Sequence, residues 1–339
     1  MTYIADLHED VSYHVLEHGY QDFSTDINGR HADIPKYKRG GVKLVFAAVF
    51  SAIPTWDPRI QETLSRGYGG STPISRSYIF RAPLQMALEH FKVYYRLARA
   101  LGKDLFLVKT RGDLEYAGRD ERIGFLISIE GAEVLEDPGD LELFFNLGAR
   151  SLTVTWNYDN RYAASCMSKR DYGLTGEGEE LVSIANDLGV ILDVSHASKK
   201  TALDVASLSK MPVIASHSNY SGVHRHPRNV DDDVIEAIKA TGGVVGFTLI
   251  TSTIGEKPSI QSLADHVMSV WERFGPDVLA VGTDFFGIEE TPEGLSDVSM
   301  LPRLFSELRS RGMGESDIRK MAWDNVVRVL ESHATRWPA

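Results

Sequence analysis

Apolar residues along this chain fall into two alternating rhythms. Short runs rich in β-branched residues occur at Tyr3–Leu7, Val42–Phe50, Ile123–Ile129, Ser151–Thr155, Val190–Val194, Val213–Ala215, Val244–Leu249 and Leu279–Val281. Between several of them apolar positions recur every three to four residues, the period of a half-buried helix. The clearest such stretch is Ser77–Leu101, where Leu84, Ala87, Leu88, Phe91, Tyr95, Ala98 and Leu101 share one stripe and Pro83 stands near the start. Asp231–Ala240 and Leu263–Phe274 repeat the pattern, the latter with Leu263, Val267, Val270, Trp271 and Phe274 inward. Strands that alternate with helices become parallel neighbours joined by right-handed crossovers. The α/β pattern therefore predicts a closed (β/α)8 barrel, a TIM barrel, with a doubly wound open sheet as the alternative because periodicity does not report closure. A ninth run, Leu105–Val108, has no place in a count of eight. It is either an edge strand outside the barrel or a sign that one of the eight is misassigned.

No repeat and no Pro/Gly linker divides the chain, and barrels commonly exceed about 250 residues as one unit, so residues 1–339 are expected to form one domain. The exception to the regular pattern is the segment 52–77, dense in Pro, Gly and Ser, which is expected to be an insertion or lid. Composition narrows the function classes. With 36 Lys+Arg against 47 Asp+Glu the formal charge is −11, which argues against a nucleic-acid-coating surface. The longest apolar stretch without charge, Thr241–Gly255, falls short of the roughly 20 residues a membrane span needs. The opening MTYIADLHED has neither a basic region nor an apolar block, so no secretory signal is expected and the cytoplasm is the default location. A lone cysteine, Cys166, excludes an intrachain disulfide and a thiolate zinc cage.

The chemistry lies where strongly polar residues meet the ends of the predicted strands, because the C-terminal strand ends of a (β/α)8 barrel form its active face. The first strand runs into Asp6-Leu7-His8-Glu9-Asp10, whose period-2 spacing turns His8 and Asp10 to one side. The others run into Glu130 in ISIEGAE, His196 in ILDVSHAS, His217 in VIASHS and Asp284 in AVGTDFFG. Taken singly, each has a plain structural reading: a strand-end histidine bonds backbone, and a carboxylate caps a helix or pairs with a cation. Together, three imidazoles and three carboxylates on one rim form a cage for two divalent metals, with zinc the best match to the ligand types. Two such ions about 3.5–4 Å apart share and ionise a water, so hydrolysis is the expected reaction class. The remaining histidines read differently: His14, His18, His31, His90, His266 and His333 are expected to be surface or core residues. His224 and His226, in SGVHRHPRN, stay open because that loop follows the His217 strand.

The motifs DLHED, IEGAE, LTVTWN, LGVILDVSHAS, PVIASHSNYSGVHRHPRNVDDDVI, VGTDFFG, PEGLSDVS and DNVVRVLE, in that order from Asp6 to about Glu331, resemble the membrane dipeptidase (renal dipeptidase) family of zinc metallopeptidases. The resemblance implies a metal-dependent-hydrolase barrel with two zinc ions that cleaves dipeptides, L,D as well as L,L. It also implies ligand roles: His8 and Asp10 for one zinc, His196 and His217 for the other, and Glu130 bridging both. Arg228 corresponds to the arginine that holds the substrate carboxylate, a task suited to a guanidinium fork, and Asp284 to the acid/base carboxylate. Two departures stand out. Where mammalian members carry a histidine against the scissile carbonyl, LTVT is followed here by Trp156, whose single N–H is a weaker donor. Asn157 or Tyr158 is a candidate substitute, so Trp156 and Asn157 enter as substrate-binding residues. The second is Phe286 in TDFFG, where the family often shows GDFDG, leaving Asp284 the only carboxylate of the motif. The mammalian leader and lipid-anchor tail are missing, so a soluble microbial-type protein, compatible with a homodimer, is expected, with no nucleic-acid or membrane partner. Trp156 and the 52–77 segment also motivate an alternative on the same scaffold, an N-acyl amino acid deacylase or a lactonase.

Overall fold

In the computed structural model, which describes residues 3–19, 22–50 and 82–339, nine strands form one sheet with every strand pairing parallel. They are β1 (Ile4–Glu9), β2 (Val42–Phe50), β3 (Leu105–Leu107), β4 (Ile123–Glu130), β5 (Ala149–Thr153), β6 (Ile191–Asp193), β7 (Ile214–Ala215), β8 (Val244–Phe247) and β9 (Leu279–Val281). Eight of them close into a barrel in the order β1-β2-β4-β5-β6-β7-β8-β9, with β9 returning to β1. The open-sheet alternative is thereby excluded. β3 explains the ninth apolar run: it pairs with Ile123–Phe125 at the start of β4, whereas β5 takes Ile127–Glu130 farther along. It is an extra strand beside the barrel, and none of the eight was misassigned.

Closure buries both faces of the strands, which is why they read as continuous apolar runs instead of alternating ones; β1 and β4 are buried at every position. Helices cover the outside, and their starts are fixed by local chemistry. Asp231 accepts the Val234 amide ahead of the helix Asp232–Ala240, and Ser259 and Ser262 form a reciprocal capping box ahead of Ile260–Phe274. In that second helix Leu263, Val267, Val270 and Phe274 are buried as expected, with Trp271 partly so.

The helix expected over 77–101 runs Pro83–Ala100 among the described residues, and its inward stripe is rotated from the expected one. Ala87, Phe91 and Leu97 face the barrel, but Leu88 and Tyr95 are exposed, and His90 and Tyr94 take the inner positions. Both carry polar atoms that find partners inside: His90 Nδ1 lies 2.7 Å from Ser12 Oγ, and the Tyr94 hydroxyl donates to the Ala48 carbonyl. A pattern of apolar side chains alone leaves His90 out and chooses Tyr95 over Tyr94, which turns the helix the wrong way. The segment 52–77, expected as an insertion or lid, lies outside the described residues. No described helix is long and apolar enough to cross a membrane.

Candidate metal centre and active site

Strand register gathers the site. Phe50, Glu130, Thr153 and Asp193 are successive partners across β2, β4, β5 and β6, so they lie in one row at the C-terminal rim. Just past that row the chain bends sharply. His196, Asp284 and Phe286 have φ of 65°, 65° and 71°, the only non-glycine residues among those described in the left-handed region. Side chains rarely adopt it, and such outliers gather at functional sites. The turn Asp284–Gly287 closes on its own hydrogen bond, the Gly287 amide to the Asp284 carbonyl at 3.1 Å. A Cβ at Gly287 would collide with the carboxylates of both Asp10 and Asp284, so only glycine leaves them room to approach each other.

His8, Asp10, Glu130, His196, His217 and Asp284 all converge there, each at most 5% exposed. His8 Nε2 lies 3.5 Å from Asp10 Oδ2, 3.6 Å from Glu130 Oε1 and 3.8 Å from Asp284 Oδ1. Glu130 Oε1 is also 2.9 Å from His196 Nε2 and 3.4 Å from His217 Nε2, and those two nitrogens are 2.8 Å apart. Two ligand groups thus meet at His8 among the described residues: His8, Glu130 and His217 can hold one ion, and His8, Asp10 and Asp284 can meet around another.

The protonation pattern tests whether a cation fits. His196 Nδ1 sits 2.6 Å from Asn157 Oδ1, and His217 Nδ1 2.7 Å from Ser216 Oγ, whose own hydrogen goes to Asp193 Oδ2 at 2.5 Å. Both outer nitrogens must therefore carry hydrogens, and both Nε2 atoms present bare lone pairs to each other and to a carboxylate oxygen. Three acceptors at 2.8–3.4 Å repel unless a proton on Glu130 or a metal cation lies between them. Zinc bonds of about 2.0–2.1 Å give tetrahedral edges of about 3.3 Å, so the spacing suits such an ion. His8 adds to the case, because neither of its buried ring nitrogens has a hydrogen-bond partner among the described residues.

Charge is divided to match. Burial, with Arg228 and His8 nearby, holds His196 and His217 well below the ordinary imidazole range, in the neutral form that binds metal. Burial also opposes charge on His8, but Glu130, Asp10 and Asp284 outweigh it and push the imidazole up to about 10. Glu130 is driven well above the carboxylate range by burial despite His8. Burial likewise lifts Asp284, to about 8, with His8 and Arg228 opposing and Asp10 adding.

Beside this cluster opens a cavity of about 450 Å³, lined by Asp10, Glu130 and Asp284 together with Phe50, Trp156 and Phe286. Trp156 packs on Phe50 at 4.8 Å between ring centres and lies 6.1 Å from the His196 ring. Asn157 is not among the described lining residues, and its side-chain oxygen accepts from His196 Nδ1 at 2.6 Å. Arg228, likewise not among the described lining residues, is buried with Nη2 donating to the His217 carbonyl at 3.0 Å, while Nε and Nη1 have no hydrogen-bond partner among the described residues. His224 and His226 do not line the cavity; His226 Nδ1 accepts the Arg228 amide at 3.2 Å and so helps shape the turn that carries Arg228.

His18 is exposed as expected, and it stands with the half-buried His14 and His31 among the residues lining the cavity. His14 and His18 stand one helical turn apart on Val11–His18, immediately after the HxD pair, and that adjacency was the available signal. His31 comes from a loop remote in sequence, and its Nδ1 accepts the Phe286 amide at 2.9 Å, bracing the strained turn. No spacing rule could have found it.

A parallel barrel with imidazoles and carboxylates converging on its C-terminal rim defines a metal-dependent hydrolase. A profile of the membrane dipeptidase family, peptidase family M19, matches residues 1–336, and the chain belongs to that family. It is a metallopeptidase that hydrolyses dipeptides. The dipeptidase verJ of Clonostachys rogersoniana is 33% identical over 306 residues, covering 89% of this chain and 76% of the relative. An uncharacterized dipeptidase of Schizosaccharomyces pombe is 30% identical, covering 97% and 80%. Among solved structures, a metallopeptidase from Rhodobacter sphaeroides liganded with a phosphinate mimic of the dipeptide L-Ala-D-Ala superposes with a TM-score of 0.85 at 26% identity, covering 98% of this chain and all of that one.

Proposed function

We propose that the rim holds two zinc ions, one on His8 and Asp10, the other on His196 and His217, with Glu130 shared, and that dipeptides enter the adjoining cavity. The reading rests above all on the three bare acceptor atoms, His196 Nε2, His217 Nε2 and Glu130 Oε1, held within 3.4 Å of one another. Two divalent ions in such a site supply Lewis acidity and a water that ionises near neutral pH. The protein's own groups complete the reaction. Asp284, its Oδ1 3.8 Å from His8 Nε2 and lining the cavity, is placed to take a proton from the attacking water and deliver it to the leaving amine. Arg228, one nitrogen tied to the His217 carbonyl and two unpaired, receives the free carboxylate of the dipeptide in a charge-assisted fork. A carboxylate held one residue beyond the scissile bond selects a substrate's C-terminal peptide bond, which in a dipeptide is its only one. Trp156 and Phe50 form the apolar wall, and Asn157 serves by orienting His196, not by touching substrate.

The R. sphaeroides relative's ligand is a mimic of an L,D dipeptide, which makes L,D dipeptides the first to test here. Elemental analysis of purified protein, paired with a panel of L,L and L,D dipeptides, N-acyl amino acids and lactones, tests the reading. Two equivalents of zinc per chain and fastest turnover on dipeptides are expected. Faster turnover of N-acyl amino acids or lactones would replace the substrate class, and full activity with less than one equivalent of metal would remove the metal assignment. Arg228→Ala should lower kcat/KM on a dipeptide by about 10–100-fold, the worth of one hydrogen-bonded charge pair, and leave an amidated analogue nearly unchanged.

A further inference from the structure

Asp193, at the end of β6, touches neither the cavity nor a candidate ligand atom, yet it is fully buried and takes four hydrogen bonds. Oδ1 accepts two backbone amides, Ser195 at 2.9 Å and Ser216 at 2.8 Å. Oδ2 accepts two hydroxyls, Thr153 at 2.7 Å and Ser216 at 2.5 Å. Each oxygen is therefore committed, one to nitrogen donors and the other to hydroxyl donors. Because the Ser216 hydrogen is spent on Asp193, Ser216 Oγ can only accept from His217 Nδ1, 2.7 Å away.

We propose that Asp193 is a positioning residue that fixes the tautomer of His217 through Ser216, keeping Nδ1 protonated and Nε2 bare for the metal. The inference rests on the metal reading of His217 given above, but its central prediction concerns a proton and is measured without metal. The isosteric change Asp193→Asn reverses the relay. Its carbonyl must stay on the two backbone amides, so its NH2 group faces Ser216 Oγ and donates to it. The Ser216 hydrogen then turns to His217 Nδ1 at 2.7 Å in preference to Ser195 Oγ at 3.3 Å. His217 moves its hydrogen to Nε2, where it points at His196 Nε2, 2.8 Å away, and occupies the space a cation would need. A carboxylate that orients an imidazole through hydrogen bonding is a general device of metal sites; here a hydroxyl is interposed.

The decisive measurement is the nitrogen chemical shift of His217 Nδ1 in metal-free protein. The wild type should show a protonated Nδ1, whether or not Nε2 also binds a proton, and folded Asp193→Asn an unprotonated one. A protonated Nδ1 in that variant overturns the assignment. Zinc affinity, titrated against a competing chelator, should fall about 10–100-fold in Asp193→Asn, and an unchanged affinity also overturns it. Should Asp193→Asn not fold, Ser216→Ala and Thr153→Val replace it, since both remove one hydroxyl from Oδ2 but only the first breaks the relay. Weakened zinc in Ser216→Ala with near-normal binding in Thr153→Val is expected, and equal weakening in both would reduce Asp193 to a strand lace. Wild-type protein that binds no zinc but shows the expected Nδ1 proton would sink the metal reading and leave the relay standing.

Discussion

The two halves of the rim hold their imidazoles in different ways. On the His196 and His217 side, each outer nitrogen is hydrogen-bonded, to Asn157 and to Ser216, so tautomer and ring angle are set by the protein alone. On the His8 side neither ring nitrogen has a partner, and the ring is held by packing, its centre 3.9 Å from that of His217, and by the carboxylates around Nε2. Each half has its own buried aspartate. Asp193 reaches an imidazole through Ser216, whereas Asp6 spends its oxygens on the Thr283 amide, the Thr283 hydroxyl and the His8 amide, and never reaches the His8 ring. One half is thus ordered before a metal arrives, and the other depends on the charge it gathers.

In the proposed assignment Glu130 is the residue both halves share, so its loss should have the largest effect. Glu130→Gln is expected to lower kcat/KM by more than about 10⁴-fold, beyond the usual worth of one acid/base group, and to reduce bound zinc in both halves. A variant that keeps two equivalents and loses less than tenfold would show that the halves are independent. Asp284→Asn comes next, removing the proton carrier and sparing the ligands assigned to zinc. A fall in kcat of about 10²–10⁴-fold is expected, with KM and zinc content nearly unchanged; loss of zinc along with kcat would move Asp284 into the ligand set.

Asn157→Ala sharpens the contrast directly. It strips the orienting acceptor from His196 and should weaken zinc on that side by about 10–100-fold. The His8 side has no such partner to lose, so chelator titration should change from one phase to two. Uniform weakening at both sites would refute the division.

The smallest effect sets the rim against the scaffold. His90 is completely buried, its Nε2 has no partner, and burial pushes it down to about 4 despite Asp10 and Glu89. An unfolded histidine binds a proton near 6.5, so between those values the unfolded chain holds more protons and folding stability falls as pH falls. Between pH 7 and 5.5 the metal-free wild type should lose about 1 kcal/mol more stability than His90→Gln, read from denaturant midpoints. Equal slopes would mean that His90 can be protonated in the folded state.

How much of this was legible beforehand depended on whether the signal was local. The eight barrel strands and the polar residues at their ends stand out because a closed parallel barrel buries both strand faces and leaves polar side chains only at the rim; His8, Asp10, Glu130, His196, His217 and Asp284 were visible for that reason. The inner face of Pro83–Ala100 was misread because His90 and Tyr94 satisfy their polar atoms through Ser12 and Ala48, partners that lie 46 or more positions away. Composition and periodicity therefore determined the alternation of strands and helices and the polar residues that gather at the strand ends. The tertiary structure alone decided closure, the side placement of β3, the arrival of His31 at the Phe286 amide and the proton order along Asp193, Ser216 and His217. Those depend on distances between segments remote in the chain, and hydrogen bonds are made or lost within a few tenths of an ångström that no one-dimensional pattern encodes.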